Sequence, residues 1–148
     1  TIAFWAYANE WTGYPILFSK GSSSGGWCDN SAGDPIHIFR HINGNIYFSF
    51  CNSSNKRADP YFTAPMAEQW HYHYYVVSWD GSIFKSYLDG VVSPHTAIQN
   101  SGLKLDVAES SYIGAAQGTG YFNGTIDEVM IFNRALTPQE IQTIYNLK

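Results

Sequence analysis

The most constraining feature of this sequence is how often its apolar runs are cut. Ile2 to Ala8, Tyr14 to Lys20, Ile36 to Arg40, Ile46 to Phe50, Tyr72 to Trp79, Ile83 to Leu88 and Thr125 to Phe132 are short and rich in aromatic and β-branched residues. Leu103-Lys104-Leu105 and Ser111-Tyr112-Ile113 complete the set. Gly, Asn, Asp or Ser residues separate them, which is the pattern of an all-β sandwich or barrel. Asn43-Gly44-Asn45 is a strong hairpin signal, Asp80-Gly81 ends the Tyr72 to Trp79 run and joins it to Ile83 to Leu88 as another meander, and Asp89-Gly90 stops that second run. No linker or internal repeat divides the chain, so residues 1–148 read as one domain.

Composition narrows the class of partner. Charged residues are only 14% of the chain and aromatics 17%, the reverse of a disordered segment. The net charge is −4 and no basic run exceeds Lys56-Arg57, so a nucleic-acid footprint is missing. No apolar stretch reaches the ~18 residues of a membrane-spanning helix, so no membrane insertion is expected. Thr1 to Tyr7 has no basic n-region and no starting Met, which reads as a chain processed or excised from something longer.

Cys28 and Cys51 flank the segment that runs through Asp34 to Phe50. An even pair in a charge-poor, Tyr-rich chain points to a disulfide and an extracellular or cell-surface setting; the alternative is two buried free thiols. The sequons Asn52-Ser53-Ser54 and Asn123-Gly124-Thr125 fit an exported glycoprotein. One helix is marked near the C-terminus. Thr137-Pro138-Gln139-Glu140 has a hydroxyl cap, Pro at the first helical position and Glu at the third, a capping box. Leu136 is placed to staple onto Ile141, and Ile141, Ile144 and Tyr145 share one face.

The run Phe122-Asn123-Gly124-Thr125-Ile126-Asp127-Glu128-Val129-Met130-Ile131-Phe132-Asn133-Arg134-Ala135-Leu136-Thr137-Pro138-Gln139-Glu140-Ile141 resembles the closing signature of laminin-G-like, concanavalin A-like jelly rolls. Ile2-Ala3-Phe4-Trp5, Leu17-Phe18-Ser19-Lys20-Gly21, Trp79-Asp80-Gly81, Tyr87-Leu88-Asp89-Gly90 and Tyr112-Ile113-Gly114 resemble successive strands of that family. The resemblance implies an all-β, two-sheet antiparallel jelly-roll sandwich with one short C-terminal helix. Its members include sugar-binding modules, adhesion domains and inert spacers, and fold alone does not choose among them. Members also carry a strand before the one that opens this chain. Ile2 to Ala8 is therefore expected to be an open edge, paired by a segment of a neighbouring domain or subunit.

Catalytic constellations are hard to assemble. Relatives of this fold that hydrolyse β-glucans carry closely spaced carboxylates on one strand, and glycoside hydrolysis needs two carboxylates about 5–9 Å apart. Asp127-Glu128 is the one adjacent acidic pair, and on a regular strand its members point to opposite faces. Gly21-Ser22-Ser23-Ser24-Gly25 matches a nucleophile-elbow pattern, but no helix follows it, so a surface loop is the better reading. His71 and His73 share a strand face without a third ligand in reach, and read as half-buried histidines at a strand entrance. An enzyme is not expected.

Binding residues are easier to nominate. Trp11, Tyr14, Trp27 and Tyr61 sit in or beside polar loops, and Asp29 and Asn30 follow Trp27 closely. Sugars offer C–H faces to aromatic rings and hydroxyls to carboxylates and amides, so these six residues form the expected ligand rim, for carbohydrate or glycoprotein. The alternative for each ring is loop packing. Phe4, Tyr75, Val77 and Trp79 are assigned to the core by strand parity. Parity also sets Asp127 with Val129 and Ile131 on an apolar face, where a carboxylate must be paired, capped or bound to a cation. The resemblance implies a structural calcium there, and a carboxylate bonded to loop amides is the equal alternative. The function expected is a non-catalytic binding or adhesion module that recognises carbohydrate. The second reading is a structural protein–protein domain of a surface appendage or multidomain secreted protein.

Overall fold

The structure is a computed structural model. It describes residues 1–21, 36–51, 57–63, 70–95, 97–98, 110–116 and 119–148; of residues 51, 57, 97 and 98 it describes the backbone alone. Twelve strands and one helix occur among the described residues. In chain order the strands are β1 (Ile2–Glu10), β2 (Ile16–Lys20), β3 (Ile36–Arg40), β4 (Ile46–Cys51), β5 (Arg57–Ala58), β6 (Tyr61–Phe62), β7 (Tyr72–Trp79), β8 (Ile83–Leu88), β9 (Val91–Val92), β10 (Ala97–Ile98), β11 (Ser111–Ile113) and β12 (Asn123–Ile131). The helix α1 spans Pro138–Tyr145. The first sheet has the order β10-β8-β7-β1-β12, with β9 also on β8. The second has the order β11-β2-β3-β4-β5, with β6 also on β4. Every pairing is antiparallel. This is the expected jelly-roll sandwich.

Burial on both faces explains the unbroken apolar character of β1. Ile2 and Phe4 pair with Val77 and Tyr75, on the side where Phe84 of β8 stacks on Phe50 of β4 at 4.1 Å between ring centroids. That side is the core between the sheets. Trp5 pairs with Tyr74 on the other side, and both rings stack on Tyr145 of α1, at 5.6 and 6.3 Å. An eight-residue helix is too short to be stable alone, so its docking depends on this contact. Ile141 is its fully buried anchor, and Leu136 just before the cap joins the same core. Phe4, Tyr75 and Val77 are buried as expected, and Trp79 is half-buried against the core.

The capping box forms as the sequence predicts. Glu140 N–H donates to the Thr137 hydroxyl oxygen at 3.3 Å, and Thr137 N–H donates to Glu140 Oε2 at 2.8 Å. Arg134 grips the same carboxylate with two bonds of 2.9 and 2.7 Å and, with the Thr137 bonds, holds its pKa down to about 2. The Asp89-Gly90 turn has φ of 50° and 79°, the positive pair that a two-residue hairpin requires.

Two expectations are corrected here. First, β1 is not an edge: β12 lies along one side and β7 along the other, so the vacant ladder foreseen for a neighbouring segment at Ile2 to Ala8 is filled by the chain itself. The sequence hid this because strands 1 and 12 are far apart in chain order. Second, Asp127 does not share a face with Ile131, which pairs with Ile2. Trp5 pairs with Asp127 but Ala3 pairs with Met130, so β12 carries one extra residue, with Glu128 at φ 50°. A bulge of this kind interrupts the alternation of faces. Asp127 stands 52% exposed, so parity with Val129 and Ile131 no longer applies.

Candidate functional site

The alternating strands β3 and β4 turn Ile36, Ile38, Ile46, Phe48 and Phe50 into the core between the sheets. The intervening residues therefore present the outer face of the second sheet. Phe39 pairs with Tyr47, and Tyr47 pairs in turn with Tyr61 of β6. A small separate cluster of Ile16, Phe39 and Ala116 lies on this face, with Tyr47 packed over it.

On that base runs a row of five rings. Tyr14 meets His41 edge-on at 5.3 Å, and His41 meets Tyr47 edge-on at 5.7 Å. Tyr47 stacks on Tyr61 at 5.1 Å, and Tyr61 stacks on His95 at 4.1 Å with 11° between the planes. Each ring is exposed or half-buried, Tyr14 the most exposed of them at 44%. The row is held from below and from its ends. The Ser93 hydroxyl donates to Tyr61 C=O at 2.7 Å and accepts His95 N–H at 3.1 Å, which fixes the imidazole over the phenol. In the β3–β4 turn, Asn43 N–H donates to His41 Nδ1 at 3.2 Å, which orients the imidazole. The Asn43 amide donates to the Tyr47 hydroxyl at 3.2 Å. Beside the row, Ser49 Oγ donates to Asp59 Oδ1 at 2.7 Å. Tyr47 and Tyr61 lie in a stack from Phe39 to His95, so the row offers ring edges beside amide, hydroxyl, imidazole and carboxylate groups, a surface suited to a ligand that carries both C–H groups and hydroxyls.

Of the six residues expected at a ligand rim, Tyr14 and Tyr61 fall in this row, and Tyr61 does so from a strand rather than a loop. Trp11 does not. It is half-buried in the main core, packed on Phe122 at 5.4 Å with the Arg40 guanidinium 5.4 Å over its ring. Arg40 is itself buried, which lowers its pKa. Trp27, Asp29 and Asn30 lie outside the described residues, as do Cys28, Asn52 and most of the Gly21 to Gly25 loop. His41, Tyr47 and His95 were not foreseen. The signal for Tyr47 was present: in Ile46-Tyr47-Phe48-Ser49-Phe50 strict alternation puts Tyr47 opposite the core residues.

The remaining candidates separate. Asn123 opens β12, exposed, and its Oδ1 accepts from Asn9 Nδ2 at 3.2 Å. His73 is half-buried as expected and lies 2.7 Å from Asp89 Oδ2, whereas His71 is exposed rather than half-buried. Asp127 Oδ1 accepts Glu128 N–H at 2.9 Å and Oδ2 accepts from the Lys148 ammonium at 3.0 Å; the ammonium and the amide together lower its pKa. No group of three or more His, Cys, Asp or Glu side chains gathers among the described residues. The oxygen ligands that calcium would need beyond Asp127 and Glu128 are not gathered there among the described residues. Glu128 Oε1 also lies 3.7 Å from the Lys148 nitrogen. The two adjacent acids, expected on opposite faces, therefore converge on one cation because the bulge sits at Glu128.

The architecture defines a class: a concanavalin A-like sandwich with an aromatic outer face. Residues 1–142 match the family model of the concanavalin A-like lectin/glucanases superfamily, and the chain belongs to that family. No curated protein matches the chain. Among solved structures it is similar to domain 4 of AbnA, an extracellular arabinanase of Geobacillus stearothermophilus solved with arabinotriose, at 19% identity and a TM-score of 0.76. That likeness covers 97% of this chain and 65% of the arabinanase domain, so the chain spans just under two thirds of it. It is also similar to the carbohydrate-binding module of the Ruminococcus gnavus IT-sialidase, at 15% identity, a TM-score of 0.74, and 97% and 80% coverage. The receptor-binding domain of botulinum neurotoxin type G follows at 12% identity and a TM-score of 0.69, over 99% of this chain and 37% of that one. At these identities the likeness is one of fold. No helix among the described residues is long and apolar enough to cross a membrane.

Proposed function

We propose that this chain is a non-catalytic, extracellular carbohydrate-binding module that holds a glycan along the Tyr14–His41–Tyr47–Tyr61–His95 row. The observation that carries the reading is the row itself: five rings in continuous contact on the outer face of a sheet, with amide and hydroxyl groups at their edges. Tyr47 and Tyr61 are fixed by β4 and β6, so a ligand that meets them finds a surface already ordered. Sugar C–H groups would pack on the exposed Tyr14 ring and along the edges of Tyr47 and Tyr61, whose faces are turned to Phe39, to each other and to His95. Sugar hydroxyls would bond at the edges, where Asn43 and Asp59 stand. The likeness in fold to modules solved with arabinotriose and with sialyllactose supports a carbohydrate over another ligand. Trp27, Asp29 and Asn30 extend the same proposal to the loop after β2.

The test is a glycan array followed by calorimetry on the best ligand. Tyr61→Ala and Tyr14→Ala should each weaken binding at least about 10-fold, roughly 1.4 kcal/mol. Trp11→Phe, a change in the core away from the row, should leave affinity unaltered. A chain that binds no glycan on the array would turn the assignment to the structural protein–protein class. Binding that survives both Tyr substitutions would move the site off this face.

A further inference from the structure

We propose that the opposite side of the molecule, the face of the first sheet beside α1, carries a second and separate site: an aromatic, acid-rimmed cage for a quaternary ammonium group, filled in this structure by the side chain of Lys148. Three strands converge on the Lys148 nitrogen. It lies 5.3 Å from the ring centroid of Trp5 in β1 and 5.4 Å from that of Tyr72 in β7. It lies 3.0 Å from Asp127 Oδ2 and 3.7 Å from Glu128 Oε1, at the bulge of β12. Tyr145 and Asn146, at the end of α1, complete a pocket of about 520 Å³ with Trp5, Tyr72 and Lys148. Two ring faces and two carboxylates around one cation are the combination that selects a positive charge with an apolar surface.

The cage is built rather than incidental. On a regular strand Asp127 and Glu128 would diverge; the bulge with Glu128 at φ 50° is what brings both to one cation. Trp5 is held in place by Tyr74 and Tyr145, at 5.1 and 5.6 Å, so one wall is rigid before any ligand arrives. The other wall, Tyr72, is 45% exposed and accessible. The Trp5 indole N–H is buried and has no hydrogen-bond partner, so its signal reports on the packing of this wall.

Lys148 is a weak occupant of such a cage. Its ammonium is strongly hydrated and sits on a flexible stem, and a surface ion pair contributes little. A quaternary ammonium loses less hydration on entering and offers methyl groups to both rings. The Lys148 side chain then acts as an internal competitor, which lowers the apparent affinity by the fraction of cages it fills.

The test titrates choline and trimethyllysine, side by side, into the full chain and into Lys148→Met, with the Trp5 indole N–H followed by NMR. Dimethylbutanol, the neutral carbon isostere of choline, is the control. An ammonium probe should shift the indole signal and bind Lys148→Met at least about 5-fold more tightly than the parent chain. Whichever of the two binds better distinguishes a small-molecule source from a side-chain source. In the Lys148→Met background, Asp127→Asn with Glu128→Gln should weaken binding at least about 3-fold; all three positions are on the surface, and circular dichroism checks that the fold is kept. Equal responses to choline and its neutral isostere, or no tightening in Lys148→Met, would overturn the proposal. Neither result touches the glycan reading, which concerns the other sheet.

Discussion

Replacing Ile141 by Ala tests whether α1 is a structural part of the sandwich or an appendage. Ile141 is fully buried among Trp5, Tyr74 and the rest of the core cluster. The substitution removes three carbons, a transfer loss of about 2.4 kcal/mol at ~0.8 kcal/mol per buried group. A cavity term adds to this, because the rings of Trp5, Tyr74 and Tyr145 are braced against one another and cannot collapse fully into the space. The expected total is about 3–4 kcal/mol, within the ~2–5 kcal/mol range for such truncations. At roughly 2–4 °C per kcal/mol for a chain of this size, Tm should fall by about 6–16 °C. Urea unfolding followed by tryptophan fluorescence is the direct assay, since Trp5 reports on helix docking, and the slope with denaturant should be unchanged. Ile144→Ala, at a half-buried position on the same face, should cost less. A loss below about 1 kcal/mol in Ile141→Ala would refute the account of β1 as a strand that needs cover on both faces.

Acid titration should reveal the Arg134–Glu140–Thr137 cluster. The Glu140 carboxyl is held from its ordinary 4.5 down to about 2, so its stabilising share is complete above about pH 4.5 and is lost as pH falls toward 2. The gap in urea midpoint between the parent chain and Glu140→Gln should therefore close across that window, and a gap independent of pH would contradict it. Gly124→Ala should destabilise by about 1–3 kcal/mol, because the added Cβ runs into the Tyr7 carbonyl and the Phe122 ring, and a backbone carbonyl paired into a ladder cannot yield. A melting curve that does not move would count against this packing. Cys28 and Cys51 are proposed to be bridged, at a cost of about 2–4 kcal/mol when reduced; two free thiols in the mass of the native, non-reduced protein would end that idea.

The fold was legible where local chemistry and global packing agree. The stop of β8 at Asp89-Gly90, the capping box at Thr137 and the alternation in Ile46 to Phe50 are each set by local residues, and each appears as read. The short pairs Arg57–Ala58, Val91–Val92 and Ala97–Ile98 did not announce themselves, because two residues offer no periodicity. The neighbours of β1 were illegible for a different reason. Strand content is local, but pairing between residues more than a hundred positions apart is decided by how the whole chain closes.

The candidate glycan face shows the same division. Tyr14 and Tyr61 could be named from their settings, yet what makes them a row is Tyr47 between Tyr61 and His41, which depends on the register Tyr47↔Tyr61. Register is fixed by the buried partners Ile46 and Phe62, so the outer face inherits its order from the core. The Asp127 error has an equally specific origin. One inserted residue on β12 exchanges the faces of everything beyond it, and no composition cue marks Glu128 as the residue that takes φ 50°. A bulge at that point turns two acids that sequence parity drives apart into a pair facing one ammonium, beside the Trp5 ring that the helix and β7 had already fixed.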